Sequence, residues 1–196
     1  VAVIRPDDVT TKRDFAVTGR VEAVTDGAGR TTRYAYGPYN VLEAITDPRG
    51  NDLRFQYDSQ ERLTQVTNQM GLHWTFQRDK TGRVTQETDF DGRTLTYDYD
   101  PGGRVIRRGN PDGSHLEYDY DASGRLLVMR AYAHAKADPL ITTYGYDENG
   151  ALIAAENPDA TIALTRDALG QITSETVNGQ TITSELDCCG MRSARI

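Results

Sequence analysis

The sequence predicts an all-β chain of tandem antiparallel hairpins. Three observations carry that prediction: a repeat of 21 residues, strict apolar–polar alternation inside each repeat, and turn residues at fixed places between the alternating runs. The composition agrees, because 18 Gly and 11 Tyr stand against only 4 Phe and 1 Trp, a mix that favours turns and half-buried strands over packed helices. With 37% hydrophobic residues and a mean hydropathy of −0.62, a large three-dimensional core is not expected.

The repeat is anchored on the residue that follows a Gly-Arg pair or its equivalent. Val21, Leu42, Leu63, Val84, Val105 and Leu126 lie 21 residues apart. Two aromatic columns run in phase: Tyr34, Phe55, Phe76, Tyr97 and Tyr118, then Tyr36, Tyr57, Arg78, Tyr99 and Tyr120. Two turn columns accompany them: Gly29, Gly50, Gly71, Gly92 and Gly113, and Asp26, Asp47, Asn68, Asp89 and Asn110. Leu152 follows Leu126 by 26 residues, so that unit carries a five-residue insertion near Ala133 to Pro139. Ile172 follows 20 residues later, a one-residue deletion. Phe15 takes the place of Tyr36 one unit earlier, and Asp187, Cys188, Cys189 and Gly190 fill the next Asp-x-x-Gly turn. Residues 1–196 therefore read as one array of about eight to nine units, both ends cut from a longer chain.

Each element of a unit follows from its residues. Arg104 to Gly109 is a short first strand. Asn110, Pro111, Asp112 and Gly113 are turn chemistry, since Pro presets φ and Gly accepts positive φ. Ser114 to Tyr120 is a second strand, with Leu116, Tyr118 and Tyr120 on one face and Glu117 and Asp119 on the other. Asp121, Ala122, Ser123 and Gly124 turn the chain back into Leu126. No room is left for a helix. With Tyr144 and Tyr146 of the inserted unit, nine of the eleven tyrosines fall in the two aromatic columns, so tyrosine is architectural here; such cross-strand pairs contribute about 0.2–1 kcal/mol each.

The array amounts to roughly seventeen strands, about 80 Å of ribbon at ~4.8 Å per strand. Open twisted sheets rarely pass about ten strands without curling or splitting. No helix covers the apolar face, and the other face is polar (Arg33, Arg54, Gln56, Gln77, Asp98, Glu117, Asp119). A long curled antiparallel sheet is the expected architecture, with edges that need neighbours.

Charge and motifs exclude several functions. A net charge of −7 disfavours nucleic acid, whose phosphates need a basic surface. No apolar run reaches bilayer length, and Val1 to Arg5 do not read as a signal peptide. The two cysteines are adjacent and do not make a metal site. His73, His115 and His134 are isolated, with no Ser or Cys at motif spacing, so a nucleophilic triad is not expected; nor is a phosphate loop. Asp119 and Asp121 hint at a calcium loop, but Arg130 stands where a bidentate Glu belongs, and Asx turns account for these aspartates better. Arg20, Arg62, Arg83, Arg104 and Arg125 recur at one turn, where pairing between hairpins with Asp79, Asp100 or Asp121 is expected rather than a ligand stripe. The insert from Ala131 to Asp138 is read as a tolerated loop. No catalytic residue, metal or cofactor is expected.

The units closely resemble the YD or RHS repeat, whose hallmark is Tyr-Asp, two variable residues, then Gly-Arg and an aliphatic residue. Tyr99-Asp100 with Gly103-Arg104 and Tyr120-Asp121 with Gly124-Arg125 fit it; Tyr146-Asp147 with Gly150 fits it but has Ala151 for Arg. The resemblance covers nearly the whole chain. It implies a segment of a hollow spiral shell, structural and not enzymatic, as in secreted bacterial Rhs polymorphic toxins, where the shell encloses a C-terminal toxic domain until delivery, often by a type VI apparatus. Insecticidal toxin complexes and animal teneurins carry related shells. The implied partners are the remainder of the shell, the enclosed toxin and a secretion-apparatus adaptor; the implied destination is outside the producing cell. The family's Asp-, Pro- and Gly-rich self-cleavage motif is missing here. The competing reading is a cell-surface adhesion or carbohydrate-binding module. That reading requires tyrosine columns facing solvent, whereas the shell requires tyrosines packed against neighbouring hairpins.

Overall fold

A computed structural model describes residues 2–4, 10–186 and 192–195, and it is all-β. The chain divides into two compact units, Val1–Leu95 and Thr96–Ile196. The first contains β1 (Ala2–Ile4), β2 (Thr10–Phe15), β3 (Val21–Thr25), β4 (Thr31–Tyr36), β5 (Leu42–Thr46), β6 (Asp52–Tyr57), β7 (Leu63–Thr67), β8 (His73–Arg78) and β9 (Val84–Thr88). β10 (Thr94–Tyr99) contains the division. The second continues with β11 (Val105–Gly109), β12 (His115–Tyr120), β13 (Leu126–Tyr132), β14 (Leu140–Tyr146), β15 (Leu152–Glu156), β16 (Thr161–Arg166), β17 (Ile172–Val177), β18 (Gln180–Leu186) and β19 (Arg192–Arg195). β2 to β18 are the seventeen strands the repeat calls for, and β1 and β19 add two more. The expected turn over Asp187 to Gly190 lies outside the described residues. No helix among the described residues is long and apolar enough to cross a membrane.

Within each unit every strand pairs antiparallel with the next in sequence. The register carries a constant offset. Ala23 pairs with Arg33 and Arg33 with Thr46; Arg107 pairs with Glu117 and Glu117 with Arg130. Both steps advance 23 residues, two more than the repeat, so successive hairpins are staggered by two residues. The hairpins closed at the Tyr-Asp position also carry a β-bulge, including the one where Gly37 stands for the aspartate. Tyr36 pairs with Leu42 while Ala35 pairs with Ala44, which leaves Glu43 as the extra residue. The same slip leaves out Thr64 and Leu127.

The insertion is shared between strand and loop: β13 and β14 have seven residues each, Ala131 pairs with Leu140, and residues 133–139 form the loop that joins them. The one-residue deletion falls in the turn after β15, where the Asn157 amide bonds the Ala160 carbonyl. There is no deep core. Among the described residues only Ala23 and His115 are buried, and all nine column tyrosines are half-buried.

Candidate functional site: a ladder of turns

The repeat signature assembles at the turns. In Asp100 to Arg104 the Gly103 amide bonds the Asp100 carbonyl at 3.0 Å, and the Asp100 amide bonds the Arg104 carbonyl at 3.0 Å. Gly103 has φ 83°, which completes a type I turn with a left-handed residue after it, the three-residue hairpin loop. Gly124 (φ 86°) and Gly150 (φ 83°) do the same.

The aspartate that opens each turn is held by the turn's own donors. Asp121 Oδ1 accepts the amides of Ser123 and Arg125, both at 2.9 Å, and Oδ2 accepts Arg125 Nε at 2.6 Å. Asp100 Oδ1 and Oδ2 take the amide and Nε of Arg104 at 2.9 and 2.6 Å. The backbone amide of Arg104, and next its guanidinium, lower the Asp100 pKa; Arg125 acts in the same way on Asp121. At Asp58 the Arg62 side chain leads, and the pKa falls to about 2. Asp147 keeps the amide bond from Ala151 at 2.8 Å, although Ala151 has no side chain to pair with it.

The ion pairs therefore close inside one turn, Asp58–Arg62, Asp79–Arg83, Asp100–Arg104 and Asp121–Arg125, and not between hairpins as the sequence had led us to expect. Four residues bring the two charges together across a single tight turn, so local geometry wins. What crosses between hairpins is different. Arg104 Nη1 donates to the Asp121 carbonyl at 3.0 Å, and its guanidinium lies 5.0 Å from the Tyr120 ring centre. Arg125 lies over Tyr146 at 5.1 Å, and Arg20 over Tyr36 at 5.2 Å.

Tyrosine returns the link. The hydroxyls of Tyr36, Tyr57, Tyr120 and Tyr146 donate to the carbonyls of Val21, Leu42, Val105 and Leu126, the first strand residues after the turn of the preceding hairpin. Arg78 and Arg166 stand in the tyrosine column, and their Nη2 atoms reach the equivalent carbonyls of Leu63 and Leu152 at 3.0 and 3.2 Å. A donor at the right height makes this link, and a phenol or a guanidinium supplies it; Phe15, at the same place one unit earlier, has none.

Two features escaped the sequence reading. Thr25, Thr46, Thr67 and Thr88 form a further column whose hydroxyls clasp the residue six positions on: Thr31, Asp52, His73 and Thr94. Their spacing of 21 residues was the available signal. At the next place the threonine is Gly109, opposite His115. His73 Nδ1 has Thr67 Oγ1 at 3.1 Å, whereas His115 Nδ1 is buried without a partner. His115 is not isolated in space: its ring stacks on Tyr132 at 4.3 Å, and Nε2 lies 3.6 Å from Glu117 Oε1. Tyr132 reaches it because the insertion lengthens β13.

Asp119 is 2.7 Å from Arg130, and Asp121 is engaged in its own turn. No group of three His, Cys, Asp or Glu among the described residues is placed to hold a metal.

Residues 5–132 match the family model described as teneurin YD-shell. No curated protein matches the sequence. Among solved structures, a mutant Tc holotoxin pore from Photorhabdus luminescens superposes with a TM-score of 0.72 at 19% identity, covering 91% of this chain and 12% of that one. The TcdB2-TccC3 structure without its hypervariable C-terminal region gives 0.73 at 18% identity, covering 95% of this chain and 12% of that one. The chain thus spans a small part of proteins whose fold it shares. Tandem hairpins, the Tyr-Asp turn and the family match converge: the chain belongs to the teneurin YD-shell family, as a segment of its shell-forming repeats.

Proposed function

We propose that this segment is wall material, part of a non-catalytic shell that encloses a C-terminal toxic domain of its parent protein and releases it into another cell. The observation that carries the reading is the fate of the tyrosines. In the column that precedes the turn, the hydroxyls of Tyr36, Tyr57, Tyr120 and Tyr146 and the ring faces of Tyr36, Tyr120 and Tyr146 are taken up by the preceding hairpin, which supports a self-tied wall. A carbohydrate-binding array would need those rings free to stack. The constant two-residue stagger supports the same reading, because such shear is what lets a sheet wind or close. The structural neighbours are toxin-complex proteins, one of them named for a hypervariable C-terminal region it lacks, and that kinship favours a variable cargo. The partners would be the remaining repeats, the cargo and a secretion-apparatus adaptor.

Limited proteolysis of the full parent protein, with fragments mapped by mass spectrometry, tests the proposal. A C-terminal segment that resists digestion until the repeats are denatured supports enclosure. A segment cut as fast as an exposed tail refutes it.

A further inference from the structure

The chain contains two Asn-Gly pairs, Asn149-Gly150 and Asn178-Gly179, and the fold treats them differently. Asn149-Gly150 closes an Asp-x-x-Gly turn, where the Gly150 amide donates to the Asp147 carbonyl at 3.0 Å. Gly92 and Gly113 spend their amides in the same way, on the carbonyls of Asp89 and Asn110. Asn178-Gly179 is instead the two-residue turn between β17 and β18, with φ 49° and 81°, the left-handed pair of a type I′ hairpin. The Gly179 amide has no hydrogen-bond partner among the described residues. Asn178 is exposed, yet its side chain is held. Its Oδ1 accepts the Thr161 amide at 2.8 Å, and its own amide donates to the Thr161 carbonyl at 2.9 Å. These two bonds add a rung to the β16–β17 ladder beyond the Ile162–Val177 pair.

We propose that Asn178-Gly179 is a site of spontaneous backbone modification that forms isoaspartate, and that Asn149-Gly150 is protected by its turn. The Gly179 nitrogen attacks Cγ of Asn178 and passes its proton, through water, to the departing side-chain nitrogen. The Cγ–Nδ2 bond breaks, ammonia leaves, and a five-membered succinimide remains. Water then opens the ring; where it adds at the Asn178 backbone carbonyl, the product is isoaspartate. Glycine suits the step because no Cβ hinders its nitrogen. Negative charge collects on Oδ1 during the attack, and the Thr161 N–H is already directed at that oxygen. At Asn149 both conditions fail: the nucleophile is engaged, and no N–H among the described residues is bonded to the side chain. Isoaspartate routes the main chain through the former side chain, one atom longer, so the Thr161 rung is lost. This inference stands apart from the shell reading.

The test incubates the folded chain in mildly alkaline buffer and follows both sites by tryptic peptide mass spectrometry, with chromatography to separate isoaspartate from aspartate. Arg166 lies between the two asparagines, so trypsin puts them on separate peptides. Asn178 should convert about tenfold faster than Asn149. In urea that unfolds the chain, the two rates should converge. Thr161→Pro removes the N–H at the first residue of β16, a place where a strand tolerates proline, and should slow Asn178 while leaving Asn149 unchanged. In the converted chain the Thr161 amide should lose its protection from hydrogen exchange. Equal rates in the folded chain, an Asn178 excess that persists in urea, unchanged or faster conversion of Asn178 in folded Thr161→Pro, or Thr161 protection that survives conversion would overturn the proposal.

Discussion

Asp58, Asp100 and Asp121 each accept amide and guanidinium donors from their own turn, and these donors hold their carboxyls below the ordinary value. A group whose folded pKa is depressed adds stability above its unfolded pKa, and that stability drains as pH falls through the folded value. The window runs from the usual aspartate value, about 4, down to about 2 at Asp58. Urea midpoints should therefore be level from about pH 7 to about pH 5 and should fall below about pH 4. A midpoint that held to about pH 2 would show that the turn carboxylates do not support the fold. The tyrosine column obeys a looser rule, since Arg78 and Arg166 replace tyrosine and keep its carbonyl. The sequence displayed Arg78 as a blemish in the column; the reach to a carbonyl that makes it and Arg166 equivalent to tyrosine exists only in three dimensions.

The hairpin was the most legible element. Alternation, Asp-x-x-Gly turns and the 21-residue period placed the strands, the insertion and the deletion. The bulge was not legible, because a single extra residue such as Glu43 alters pairing without altering composition. The intra-turn ion pair was missed for a related reason. Asp and Arg four apart in a strand would share a face but stand about 13 Å apart, and only the tight turn brings them together. Turn backbone also yields a paired prediction. Gly113 has φ 84° and open space around its Cα, so Gly113→Ala meets no clash, only left-handed strain, and should cost about 1 kcal/mol. Glu61→Gly, at φ 59°, should gain a similar amount, about 1 kcal/mol. Chemical denaturation measures both. Equal and opposite shifts mean that the turns' glycine rule is conformational, while a loss at both sites would mean that Glu61 makes contacts worth more than its strain.

At the scale of the whole molecule, no large buried side chain organises the described residues, so stability has to be summed along the array from hairpins and their links. Such an array tolerates loss of a whole period and not of a fraction. Deleting residues 105–125 joins Arg104 to Leu126, the junction that Arg125 already makes, and leaves the Asp100 turn feeding a strand of the right phase. The shortened chain should fold with unchanged strand content per residue by circular dichroism, and its urea m-value should drop by about a tenth, in line with length. Deleting residues 105–114 removes one strand and one turn and runs the Asp100 turn into His115, which moves Tyr120, Asp121 and every later Tyr-Asp turn to the opposite edge of the sheet and breaks the Arg104-to-Asp121 and Tyr120-to-Val105 links. That variant should lose cooperative unfolding. If both deletions behave alike, the 21-residue unit is a pattern of sequence only. If the first folds and the second fails, the unit is the physical quantum of the wall.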